Sequence, residues 1–158
     1  MAKGRRQTIK TELLTATLDD FLGAEPVINR ILAAPYDPAF QSAQIDLSKR
    51  LLMLVRAIRT VRDDSGHEPI REKMLREGAK REGESWYFDD VAKQKAYKEG
   101  MRTLGSAEHT IDAPVIADSE IDGTDKDTPV LQPVPPLMAG ERALIDFLLT
   151  YTDPGGEA

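Results

Sequence analysis

The stretch that decides the fold is residues 38–62, PAFQSAQIDLSKRLLMLVRAIRTVR. Phe40, Gln44, Leu47, Leu51, Leu54, Ile58 and Val61 recur at alternating spacings of four and three residues. Apolar side chains at that spacing fall on one stripe of an α-helix, so the pattern predicts a long helix with a seam for a second helix. Asp37 and Pro38 are a helix-start pair, the carboxylate as cap and the proline in the first turn, where its missing N–H costs nothing. Asp63-Asp64-Ser65-Gly66 ends the run.

Upstream, Thr17 with Asp20 three residues later reads as an acidic variant of the capping box. Leu18, Phe21 and Leu22 follow on one face. Pro26 lacks a donor and clashes with the preceding turn of a helix. The sequence therefore predicts two short helices meeting near residues 23–26, the second carrying Val27, Ile28, Ile31 and Leu32 and ending in the turn Pro35-Tyr36-Asp37-Pro38. Residues 1–16 read as a basic arm with Lys3, Arg5, Arg6 and Lys10, either loose or in contact with an acidic surface.

Downstream, Glu68 and Pro69 open a helix bearing Ile70, Met74 and Leu75. Trp86, Tyr87 and Phe88 form the one dense aromatic cluster, suited to anchoring a partner or to a core or hairpin role. Asp89 or Asp90 then caps a helix with Val91, Tyr97, Met101 and Leu104, closed by Gly105. Thr110, Ile111, Val115 and Ile116 suggest a short strand, confined to a sheet edge by Pro114. Residues 118–136 are acidic and then proline-rich and read as an extended connector. A last helix over about 137–151 carries Leu144, Ile145, Phe147, Leu148 and Leu149, a face too apolar to leave in water.

The fold expected is mainly α: a helical hairpin or small bundle around the long helix, an extended acidic and Pro-rich segment, and a C-terminal helix. The divisions are a basic arm over 1–16, a helical body over 17–105, the extended segment over 106–136, and the C-terminal helix and tail over 137–158.

Charge and composition narrow the function. Of 158 residues, 30% are charged, only 6% are aromatic, and none is cysteine. The last excludes disulfides, thiolate metal sites and a cysteine nucleophile. The balance is +3 over residues 1–105 and −9 over 106–158, giving the net −6. No run approaches the roughly 18 apolar residues of a membrane span, and no secretory signal is evident. The expected location is the cytoplasm of a host cell or a virion.

The tract Asp118-Ser119-Glu120-Ile121-Asp122-Gly123 superficially follows a calcium loop, but Pro129 stands where a bidentate glutamate must close the site, so a solvated acidic linker accounts for it better. His67 and His109 lack a second ligand at helical spacing. No phosphate-cradling glycine loop, GxSxG or HExxH is present. The expectation is a non-enzymatic protein with no cofactor and no metal. Its partner-binding candidates are Arg5, Arg6, Trp86, Tyr87, Leu144, Phe147 and Leu148. The alternative is a nucleic-acid-binding or transcription-machinery regulator using the arm and the basic residues of 49–62, namely Lys49, Arg50, Arg56, Arg59 and Arg62.

The order of parts resembles a group of small phage and prophage proteins of unknown function. In these a helix of the form L-x-x-L-x-x-x-x-P-x-L-x-x-L-L precedes a long helix. Leu18, Phe21, Pro26, Ile28, Ile31 and Leu32 carry the likeness here, followed by the long seam and the apolar 144–149. The resemblance implies a phage-encoded origin. It implies no catalytic residue. The charged arm at one end and the long extension ending in an apolar helix lead to the expectation of an assembly or virion component, whose partner is a phage structural protein or a second copy of the chain.

Overall fold

The computed structural model describes residues 9–66, 76–83, 85–123 and 129–151. It is mainly helical with a small amount of sheet. In chain order the elements are β1 (Thr11–Thr17), α1 (Leu18–Leu32), a 3-10 turn (Pro38–Phe40), α2 (Gln41–Asp64), β2 (Lys80–Glu82), β3 (Ser85–Tyr87), α3 (Val91–Ser106), β4 (Glu108–Pro114), α4 (Asp118–Asp122), α5 (Ala139–Ile145) and a 3-10 turn (Asp146–Leu148).

The long helix forms where its periodicity places it. Leu47, Leu51, Leu54, Ile58 and Val61 are buried, with Gln44, Ser48 and Val55 beside them. Gln44, the polar member of the seam, has a local reason to be there. Its Oε1 accepts from the backbone N–H of Asp37 at 3.0 Å, tying the preceding loop to the helix. Asp37 caps the 3-10 turn by accepting from the Ala39 N–H at 2.9 Å.

One helix stands where two were expected. α1 runs unbroken through Pro26, because Leu18, Phe21, Ala24, Val27, Ile28 and Ile31 form one buried face across the proline. Burying a large apolar side chain is worth about 1.5–3 kcal/mol. Several together outweigh the ~3 kcal/mol that an interior proline costs. The Thr17–Asp20 capping box is present, with Asp20 N–H to Thr17 Oγ1 at 3.1 Å and Thr17 N–H to Asp20 Oδ2 at 3.2 Å.

Residues 11–17, all but the last of them in the expected arm, form a strand. β1 pairs antiparallel with β4 in the register Thr11↔Pro114 to Thr17↔Glu108. Leu14, Ile111 and Ala113 turn toward the core. The region after Gly105 therefore belongs to the same core as the helices, and Ile116, Ile121 and Leu131 are buried in it too. Sequence periodicity missed β1 because TELLTAT does not alternate cleanly between apolar and polar.

α3 starts where Asp90 caps it, the carboxylate accepting from the Ala92 N–H at 2.8 Å. Gly105 lies inside this helix and meets α1: a side chain there would strike the Asp19 carboxylate. The C-terminal helix is shorter than its apolar run predicts, ending at Ile145 and tightening into the 3-10 turn. The helix read from Glu68 and Pro69 lies outside the described residues.

Candidate functional site

A groove of about 760 Å³ opens between the loop after α1 and the proline-rich segment before α5. That volume is in the range of pockets that enclose a ligand or a short peptide segment. Its first wall is the loop between α1 and the 3-10 turn, where Pro35 follows the end of α1 and Pro38 begins the 3-10 turn, leaving Tyr36 in irregular backbone between them. Tyr36 is 58% exposed, with its hydroxyl 3.3 Å from Ser48 Oγ. Its second wall is the irregular, proline-rich segment 129–137, with Leu131 buried beneath. The floor is Ile31, Phe40, Ile121 and Leu137.

Three arginine–carboxylate pairs fasten these walls. Arg30 meets Glu141 with two bonds, Nε to Oε2 at 2.7 Å and Nη2 to Oε1 at 2.9 Å, and also donates to the Pro136 carbonyl at 3.3 Å. Arg142 meets Asp122 with two bonds, at 2.7 and 2.8 Å. Arg50, on α2, donates to the Val115 carbonyl at 3.0 Å and grips both oxygens of Glu120, with a further bond to Asp46 at 2.9 Å. Two-pronged pairs of this kind fix direction as well as distance. The Val130 N–H donates to the Glu120 carbonyl at 3.0 Å, which joins the second wall to the same cluster.

These bonds shift proton affinities. Arg50 and Arg142 hold their protons more firmly than usual, first through hydrogen bonds to Glu120 and Asp122 respectively, with burial opposing. Glu141 is held below the usual carboxylate range, first by the bond from Arg30 and then by the Met138 N–H. A depressed folded value means that the tie is complete above the unfolded pKa and is lost as pH falls through the folded one. A carboxyl titration followed by NMR is expected to place Glu141 below an ordinary glutamate. In Arg30→Met the midpoint should rise; an unmoved midpoint would refute the pair.

The lining of the groove is mostly apolar, and its charged members already have partners within the chain. Asp122 is neutralised by Arg142, and Asp37 caps the 3-10 turn. The buried unpartnered atoms among the described residues are Glu25 Oε1, Arg50 Nε and His109 Nε2, and none of these residues lines the groove. Among the described residues no cluster of three or more His, Asp or Glu is placed to hold a metal. α4 occupies the start of the calcium-like tract, with Gly123 closing it in the left-handed region at φ 73°.

No family model matches the chain, and neither a curated protein nor a solved structure does.

The residues singled out from the sequence do not converge on this groove. Arg5 and Arg6 lie outside the described residues. Trp86 and Tyr87 sit on the β2–β3 hairpin, Tyr87 half-buried beside Phe88, which packs edge-on against Tyr97 at 6.1 Å. Leu148 is 7% exposed and Phe147 lies edge-on to Phe21 at 5.7 Å, so both serve the chain's own core; Leu144, 48% exposed, stays at the rim. The apolar C-terminal face had to dock, and it docks on α1. Of the basic residues of 49–62, Arg50, Arg59 and Arg62 are paired with carboxylates. Lys49 and Arg56 remain exposed.

Sequence reasoning missed the groove because its walls lie about 90 residues apart in the chain. The one available signal was the pair of proline clusters, 35–38 and 133–136, each read separately as a turn and a spacer. Among the described residues no helix is long and apolar enough to cross a membrane.

Proposed function

We propose that this chain is a non-enzymatic interaction component that receives an apolar segment of a protein partner in the groove between residues 35–40 and 129–137. The observation that carries the reading is an apolar cleft whose walls are fastened by three arginine–carboxylate pairs, which lowers the ordering cost of binding. Exposed Tyr36, Val134 and Met138 extend its apolar character onto the surface. Aromatic and methionine side chains so placed are typical of contact surfaces. The architectural resemblance to small phage and prophage proteins favours a phage-encoded origin, and on this reading the partner is a phage structural protein met during assembly.

The test compares proteins recovered on immobilised wild-type chain with those on Tyr36→Ser/Val134→Asp, in nuclease-treated lysate of the source cells. Partners lost at least tenfold with the variant, and retained by Leu52→Asp on the exposed side of α2, support the groove. Identical recovery on both chains overturns it. Partners recovered from a parallel untreated lysate but absent from the nuclease-treated one point to the nucleic-acid alternative instead.

A further inference from the structure

β1 is an open edge. In an antiparallel pair, residues alternate between those whose N–H and C=O bond the neighbouring strand and those whose groups point away. The bonds Val115 N–H to Lys10 O at 3.0 Å and Leu18 N–H to Ala107 O at 3.1 Å fix which are which. Glu12, Leu14 and Ala16 face β4; Thr11, Leu13, Thr15 and Thr17 turn their backbone groups outward. Thr17 N–H is taken by Asp20. Thr11, Leu13 and Thr15 have no backbone partner among the described residues.

The two edges of this sheet are equipped differently. The outward positions of β4 are Glu108, Thr110, Asp112 and Pro114. Charges and a proline are the devices that keep an edge from pairing with another strand. A twofold pairing centred on Thr110 would set Glu108 against Asp112, carboxylate against carboxylate. The outward positions of β1 are three threonines and a leucine, all compatible with sheet, and Leu13 in their midst is 79% exposed. A two-stranded sheet is also marginal by itself, whereas further strands stabilise it.

We infer that β1 pairs antiparallel with β1 of a second copy of this chain, across a twofold axis at Leu13. The edge is self-complementary in that register. Leu13 exchanges both backbone bonds with Leu13 of the second copy, and Thr11 does so with Thr15. On the outer face the two leucines cover each other, flanked by threonines. On the inner face Glu12 lies across from Leu14 of the second copy, so no like charges stand opposite. The sheet then runs β4-β1-β1-β4, with the open β1 edges paired at its centre and the guarded β4 edges outermost. A self-complementary patch of this kind is what a twofold dimer requires. This inference stands apart from the groove, which uses none of these residues.

The chain has no cysteine, which makes a direct test available. Opposed residues of a hydrogen-bonded antiparallel pair have Cα atoms about 5.5 Å apart, within disulfide reach. Leu13→Cys is expected to oxidise to a covalent dimer at least tenfold faster than Ala92→Cys on the exposed start of α3. Light scattering on the wild-type chain at high micromolar concentration should give twice the 17.5 kDa of one copy. Leu13→Lys should return it to a single copy with an unchanged circular dichroism spectrum. A wild-type chain that stays single at that concentration overturns the inference. So does a dimer that survives Leu13→Lys, or equal oxidation rates for the two cysteine variants.

Discussion

Phe21→Ala is expected to remove about 4 kcal/mol of folding stability, within the ~3–5 kcal/mol typical of deleting a buried phenylalanine. Phe21 is fully buried on α1. It belongs to the common core that α1 and α2 share and meets Phe147 edge-on at 5.7 Å, with the rings inclined by 68°. The aromatic pair adds about 0.5–1.5 kcal/mol beyond area burial. With the ring gone, Phe147 loses its aromatic partner and a cavity opens where the C-terminal turn meets α1. α1 is also the element that tolerates an interior proline only through its buried face, so loss of that face is felt along the whole helix. With total stability of about 5–15 kcal/mol, a large share goes in one substitution. Urea denaturation should show a lower midpoint with an unchanged slope. Leu144→Ala, at the rim of the same contact, should cost about 1 kcal/mol or less. If Phe21→Ala also cost under about 1 kcal/mol, the docking of the C-terminal turn on α1 would be refuted.

What could be read from the residues was local. The seam from Leu47 to Val61, the Thr17–Asp20 box and the Asp90 cap each depend on neighbours within one or two turns, and each is present. Pro26 misled for the opposite reason. Its local penalty is real, but the face that overrides it is completed by α2 and residues 145–148, distant in sequence. β1 was hidden in the same way: TELLTAT becomes a strand because Ile111 and Ala113 pair with it across about 100 residues. Propensity decides little for such a segment when tertiary pairing is available.

The site was less legible still. A groove is a relation between surfaces, and nothing in Pro35 or Pro136 alone announces the other. The charged residues carry the same lesson. Arg50 reads in sequence as one of five basic residues on a helix back. In the folded chain it is an internal strut, because Glu120 lies 70 positions away in sequence.

That strut is the second place where a single substitution should tell strongly. Arg50 has 12% of its side chain exposed and Glu120 has 23%, so water replaces little of what each gives the other. Removing one member of a buried pair costs about 3–5 kcal/mol; with part of Glu120 in solvent, about 2–3 kcal/mol is expected for Arg50→Met. The loss has two parts. The Val115 carbonyl loses a donor. Glu120 keeps its negative charge and the Ala117 N–H at 3.1 Å but loses its cation. Adding Glu120→Gln to Arg50→Met removes the stranded charge and should restore about half of the stability, on the order of 1 kcal/mol. The coupling should weaken only slightly with added salt, because screening acts poorly on enclosed pairs. The local consequence follows from the Val130 N–H bond to the Glu120 carbonyl. In Arg50→Met, amide exchange should quicken at Val130 and Leu131, in the second wall of the groove, ahead of the α2 core. Uniform quickening over the whole chain would mean that Arg50 serves only global stability. Unchanged exchange at Val130 would separate the strut from the groove altogether.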